Sequence, residues 1–291
     1  QSSEWLSDHL AELADTIVQE ALPLCWGTIR KRHCAAPKFA VIGYGKLGGK
    51  ELGYVSDLDL VYLYDDADPD AEENYARLGQ RLNTWLSSQT SAGILFETDL
   101  RLRPNGDAGL LAVSVDAFRD YQLKSAWPWE HQALTRARFC AGDPAVGARF
   151  EQIRCEILCQ QRDLAKLKEE VIAMRQKMID AHASKSATEF DLKQDPGGII
   201  DVEFIVQFLV LGHAHRYQQL TGNLGNIALL RIAGELRLIP AAEAAAAGNA
   251  YREYRRLQHA QRLSANPRHL TGRESIENHI AAVNTLWQAV F

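Results

Sequence analysis

The sequence predicts an α+β fold in which a mixed sheet covered by helices precedes an all-helical region. Three observations carry this. Two short apolar runs, residues 39–42 and 58–64, flank a glycine-rich turn that leaves no room for a crossover helix. A stretch at 93–104 alternates apolar and charged residues with a period of two. From Asp143 onward the apolar residues recur only at helical spacing. That change is expected to divide a first domain, residues 1–142, from a helical second, residues 143–291.

Residues 4–22 place Trp5, Leu6, Leu10, Leu13, Ile17 and Leu22 at helical spacing, an amphipathic helix expected to pack on the sheet. The run Phe39-Ala40-Val41-Ile42 is too short for a helix and stops at Gly43, and the β-branched and aromatic run 58–64 reads as a buried strand. After an acidic loop, Tyr75, Leu78, Leu82, Trp85 and Leu86 mark a helix that covers one sheet face. In the alternating stretch, Leu95, Glu97, Asp99, Arg101 and Arg103 fall on one side, and Ile94, Phe96, Thr98, Leu100 and Leu102 on the other. Ser114 is a candidate helix N-cap. The segment WPWEHQALTRAR at 127–138 has the composition of a helix and carries Glu130, His131, Arg136 and Arg138.

Asp143-Pro144 then reads as an N-cap with proline at the first helical position. Leu164, Leu167, Val171, Met174 and Met178 mark one helix, and Ile200, Phe204, Ile205, Phe208 and Leu209 another. Between them the turn Asp195-Pro196-Gly197-Gly198 leads to Asp201 and Glu203, acids in a first helical turn, where the helix dipole favours them. An alanine-rich helix follows around 241–263.

With 46% apolar and 24% charged residues the composition is that of a soluble globular protein, and a net charge of −5 argues against a nucleic-acid partner. Neither a membrane span nor a signal peptide is predicted, since there is no run of 18 apolar residues and no basic segment leading into an apolar one. A start at Gln1 rather than Met fits a module of a longer polypeptide. Five cysteines, at 25, 34, 140, 155 and 159, form no Cys-x-x-Cys pair and are expected as reduced cytoplasmic thiols. Cys155 and Cys159 would share a helix face, but no third and fourth ligand for a structural zinc lies nearby.

The chemistry concentrates at residues 39–65. Asp57 and Asp59 share one strand face, where two carboxylates are costly unless a divalent cation compensates them. Gly43-Tyr44-Gly45-Lys46-Leu47-Gly48 fits the dinucleotide-binding G-x-G-x-x-G pattern, with Asp65 about twenty residues on. The spacing excludes that reading, because residues 49–57 are too few for a parallel crossover. A Walker-type loop is excluded too: the glycine it requires falls on Tyr44, and its Ser/Thr on Glu51. What remains is a short antiparallel connection whose glycine turn holds a phosphate beside a metal on Asp57 and Asp59, the arrangement of nucleotidyl transfer. A later strand supplies a third carboxylate, Asp99, with Glu97, Arg101 and Arg103 on the same side.

Glycine, then Asp-x-Asp, then a distant Asp resembles the DNA polymerase β-type nucleotidyltransferase superfamily. The longer wording, GYGKLGGKELGYVSDLDLVYLYD, SAGILFETDLRLRPNGDAG, SAWPWEHQALTRAR and DPGGIIDVEFIVQ, resembles the bacterial bifunctional glutamine synthetase adenylyltransferase/adenylyl-removing family over residues 36–210. The Gly-Tyr-Gly start and the Trp-Glu-His-Gln-Ala-Leu segment are similar to its C-terminal, adenylylating module. The resemblance implies transfer of AMP from ATP to a tyrosine of glutamine synthetase with two Mg²⁺ ions, bridged by Asp57 and Asp59, while Asp99 holds the ion beside the nucleophile. It implies nucleotide contacts from Gly43, Gly45, Lys46, Ser56, Arg101 and Arg103, and adds Glu97, Glu130, Asp201 and Glu203 as cleft candidates. The implied partners are glutamine synthetase, a PII-type nitrogen signal protein and the N-terminal adenylyl-removing module. The reverse, phosphorolytic activity and a non-catalytic regulatory module remain alternatives.

Overall fold

The computed structural model describes residues 3–184, 186–223, 225–264 and 270–291. It divides into two compact units, Ser2–Ile157 and Leu158–Phe291.

In the first unit, α1 (Ser3–Gly27) precedes β1 (Phe39–Gly43), the single turn α2 (Gly45–Gly48), β2 (Leu58–Tyr64) and α3 (Ala71–Ser87). There follow β3 (Thr98–Asp99), β4 (Ala112–Ser114), α4 (Val115–Lys124), α5 (Pro128–Leu134), β5 (Arg138–Gly142) and α6 (Pro144–Leu158). The sheet order is β3-β2-β1-β5, with β4 also on β2. Strand β1 is antiparallel to β2 and β5, whereas β3 and β4 run parallel to β2, so the sheet is mixed as expected. Every residue of β2 is buried except the half-buried Asp59. That continuous apolar run places β2 inside the sheet.

Helix α3 buries Tyr75, Leu78, Leu82 and Leu86 and leaves Trp85 exposed. The buried Tyr75 phenol receives the Lys38 N–H at 3.0 Å and donates to Asp66 at 2.7 Å, so its polar atom is satisfied. In α1 the buried stripe is Ala11, Ala14, Val18 and Ala21, while Trp5 and Leu13 stay outside. Small residues on that stripe let the helix lie close to α3 and β5. The Ser114 hydroxyl caps α4 through Ala117 N–H at 3.1 Å, and the Asp143 carboxylate accepts from Ala145 N–H at 2.8 Å.

Two expectations about the first unit are corrected. The alternating stretch 93–104 is a strand only at Thr98–Asp99: Ile94 and Leu95 are exposed, and Arg103 bends the chain by donating to Leu100 O at 2.7 Å and Asp107 O at 3.2 Å. The helix expected over 127–138 ends at Leu134, because Arg138 and Phe139 are drawn into the sheet opposite Gly43 and Ile42. The expected boundary is residue 142, and the first compact unit runs on to Ile157. Helix α6 buries Phe150 and Ile153, and its Arg154, 1% exposed, donates to Leu134 O at 3.0 Å and Thr135 O at 2.7 Å, which ties the helix to the first unit.

The second unit contains α7 (Leu164–His182), β6 (Glu189–Asp191), α8 (Ile199–His213), α9 (Asn226–Glu235), α10 (Ala241–Leu263), β7 (Leu270–Gly272) and α11 (Glu277–Val290). The expectation of helices alone is corrected by β6 and β7, which pair antiparallel with Phe190 opposite Thr271. Helix α8 is apolar on nearly every side and packs against α7, α9, α10 and α11, as a helix at the centre of a bundle must. Among the described residues no helix is long and apolar enough to cross a membrane. All five cysteines are free thiols.

Candidate active site

The site grows from the β2–β3 register. Parallel pairing sets Leu58 opposite Thr98 and Asp59 opposite Asp99, with Leu58 N–H bonded to Glu97 O at 2.9 Å. Paired residues on adjacent strands point to one face about 4.8 Å apart. Asp57, two residues before Asp59, reaches the same face from the exposed start of β2. One carboxylate oxygen from each of Asp57, Asp59 and Asp99 lies within 4.8 Å of the others. Three hard oxygen donors so close together suit a divalent cation such as Mg²⁺.

An open cleft of about 520 Å³ runs past this cluster, lined by Asp57, Glu97, Asp99, Arg101 and Arg103 among others. Arg101 donates Nε to Asp99 at 2.9 and 3.0 Å, its backbone N–H at 2.9 Å and a further bond from Nη2. These bonds hold the Asp99 carboxyl below the usual carboxylate range, against the burial that would raise it. The two arginines differ. Arg101 has a side chain 73% exposed on the cleft, whereas that of Arg103, 12% exposed, is spent on loop carbonyls.

The glycine turn backs onto the same cluster. Tyr44 N–H bonds to Asp59 O at 2.8 Å. Gly45 has φ +54°, and a Cβ there would land on Oδ2 of Asp59, so only glycine gives the close approach without strain. At Gly43 a Cβ would meet Cys140 Sγ at 2.6 Å and Leu47 Cγ at 2.9 Å, which makes this glycine a packing requirement where β1 meets β5. Lys46 is half-buried in the turn. Ser56 Oγ accepts from Gly53 N–H at 3.0 Å and shapes the loop into Asp57.

Glu130 is not brought to the cleft. It is buried at the start of α5, where one carboxylate oxygen accepts Trp127 N–H and the other Tyr121 O–H, both at 2.8 Å, as the acid of a capping box does. Asp201 belongs to the second unit and is 3% exposed. Its oxygens take Arg175 Nε at 2.5 Å and Gly197 N–H at 2.6 Å, so it staples the Asp-Pro-Gly-Gly turn. Glu203, two residues on, is half-buried in α8.

A second group of metal-ligating types, His33, Cys34 and Asp66, also converges within 4.8 Å. Its atoms already have partners within the protein, Cys34 Sγ bonding Ala36 O at 3.2 Å and the Tyr75 hydroxyl at 3.8 Å. His33 bonds Asp66 at 2.9 Å and Asn74 Nδ2 at 3.0 Å, and Asp66 also receives Tyr75 O–H and Asp68 N–H. This is a closed network that fastens α3 to the segment before β1.

Sequence reasoning missed Asn83, which lines the cleft and bonds Thr98 through its side chain. It directly follows Leu82 of the apolar stripe of α3, and nothing in that spacing marks it as a cleft residue. It also missed Asp15 and the placement of Arg138, which meet only in the folded chain.

A mixed sheet with a glycine turn set against three convergent carboxylates defines an α+β protein whose cleft is chemically suited to a divalent cation. Residues 2–153 match the family described as Glutamate-ammonia ligase adenylyltransferase, and the chain belongs to that family. Residues 165–270 match a second family, GlnD PII-uridylyltransferase. Among curated relatives, the bifunctional glutamine synthetase adenylyltransferase/adenylyl-removing enzyme of Aromatoleum aromaticum is 64% identical over 99% of this chain and 30% of its own length. The proteins of the same name in Nitrosomonas europaea and Chromobacterium violaceum are 62% and 55% identical, over 91% and 99% of this chain and 28% and 32% of their own lengths. The chain thus spans about 30% of the relatives it matches.

Proposed function

We propose that this chain transfers AMP from ATP to a tyrosine hydroxyl of glutamine synthetase, with release of pyrophosphate, and that its first unit is a polymerase β-type nucleotidyltransferase domain. The observation that carries the reading is the position of Asp59, which has Asp99 at its side on β3 and Gly45 of the turn against its carboxylate. Phosphate and cation subsites are therefore contiguous.

Asp57, Asp59 and Asp99 would hold Mg²⁺, two ions by the family resemblance. When bound, Mg²⁺ neutralises triphosphate charge and lowers the pKa of the attacking hydroxyl, which for tyrosine is ordinarily near 10. The chain's own groups do the rest. The backbone N–H groups of the glycine turn would hold phosphate oxygens, and Gly45, having no side chain, lets the Asp59 carboxylate pack against that turn. Arg101 presents its guanidinium to the cleft, where a triphosphate would compete with Asp99 for the Nε and Nη2 donors. Asp99 takes the acceptor proton. Hydrogen bonds from Arg101 hold the Asp99 carboxyl below the usual carboxylate range and keep it ionised. A PII-type signal protein and the adenylyl-removing module are the partners this reading gives to the longer polypeptide.

The test is incubation with unmodified glutamine synthetase, Mg²⁺ and α-labelled ATP, with Asp57→Asn as the control. Label should appear on the synthetase and fall at least about 100-fold in the variant. Equal labelling by the variant overturns the carboxylate assignment. The relatives' names also carry AMP removal, and formation of ADP from modified synthetase and phosphate would identify that activity instead.

A further inference from the structure

The glycine turn is held at two ends, and only one of them is the carboxylate cluster. At the other, Arg138 opens β5 directly opposite Gly43, the last residue of β1 before the turn. Its Nη2 donates to Leu47 O at 3.0 Å and its Nε to Gly48 O at 3.4 Å, the carbonyls that end the one-turn α2. The same guanidinium is fixed from behind by Asp15 of α1, with Nη1 to Oδ2 at 2.6 Å and Nη2 to Oδ1 at 3.2 Å. Arg138 and Asp15 have side chains about 20% exposed each.

The surroundings leave the turn little freedom. A Cβ on Gly48 would strike the Arg136 carbonyl, and Arg136 itself bonds Glu51 at 2.6 Å just past the turn. The Leu47 carbonyl also accepts Lys50 N–H at 3.2 Å, and the planar fork of Arg138 adds a side-chain donor to each of the two carbonyls while holding a carboxylate, a geometry an ammonium does not reproduce. Tilting α2 about Gly45 would move its backbone relative to Asp59, because the turn is fastened there as well.

We infer that Arg138, held by Asp15, is a positioning residue that sets the glycine turn for the triphosphate, so that α1 contributes to nucleotide binding without touching the nucleotide. This rests on the nucleotidyl-transfer reading above. The pair bridges positions 123 residues apart and joins an outer helix to the turn through one side chain.

The measurement is binding of trinitrophenyl-ATP with Mg²⁺ to the whole chain, together with KM for ATP, kcat and the melting temperature. Arg138→Gln should weaken nucleotide binding about 100-fold, and Arg138→Lys, which keeps the charge and loses the fork, about 10-fold. The near-isosteric Asp15→Asn should also weaken it about 10-fold, and the Asp15→Asn/Arg138→Gln double variant no more than Arg138→Gln alone, since the two act as one unit. The effect belongs in KM rather than kcat. Variants that bind and turn over ATP as the parent does, with only the melting temperature lowered, reduce the pair to a stabilising contact and overturn the inference. Failure of the parent itself to bind Mg-ATP overturns the nucleotidyl-transfer reading, and this inference with it.

Discussion

Gly45 lies so close to Asp59 that the missing side chain of the one makes room for the carboxylate of the other. The turn and the carboxylate cluster are therefore one object. Gly45→Ala has to relieve both a φ of +54° and a clash with Oδ2 of Asp59. The local strain is worth about 1–3 kcal/mol. We expect a modest fall in melting temperature and a loss of about 100-fold in transfer, because a displacement of about 1 Å at reacting groups costs that much. An alanine variant with full activity would separate the turn from the chemistry.

Asp66 supplies a pH prediction remote from the cleft. Burial alone would raise its pKa, but hydrogen bonds from His33 and Tyr75 outweigh that and bring it from 3.8 down to about 2. A depressed carboxylate pKa stabilises the fold above the unfolded value, and that contribution is lost as pH falls through the folded one. Urea unfolding between pH about 4 and about 2 should show stability dropping in the parent, with a shallower drop in Asp66→Asn. Equal slopes would mean that Asp66 is not the titrating group.

Glu130 and Asp201, two acids expected at a cleft, are predicted to act on stability. Glu130→Gln loses one acceptor facing two donors and should cost about 1–2 kcal/mol with kcat near the parent value. Asp201→Asn leaves Arg175, 1% exposed, without its charge partner, and breaking such a pair costs about 3–5 kcal/mol. Chemical denaturation alongside the labelling assay distinguishes this from a direct part in transfer. A Glu130→Gln protein that is as stable as the parent yet inactive would return Glu130 to the cleft.

What the sequence determined by itself is what depends on neighbours along the chain. The antiparallel β1–β2 connection follows from a turn too short for a crossover, and the Ser114 and Asp143 caps and the bounds of α10 follow from local spacing. Asp57 and Asp59 share a face because strand side chains alternate. The tertiary structure alone decided which distant residues meet. The alternation at 93–104 marked Asp99 as a strand residue, but only Thr98 and Asp99 pair with β2, and the register that sets Asp99 opposite Asp59 belongs to the sheet. Arg138 reads as helical until β1 offers it an unpaired edge, and Glu130 and Asp201 read as chemical until caps and a buried arginine claim their oxygens. Periodicity encodes faces, whereas pairing across the fold is settled by which backbone and charged groups would otherwise be buried without partners.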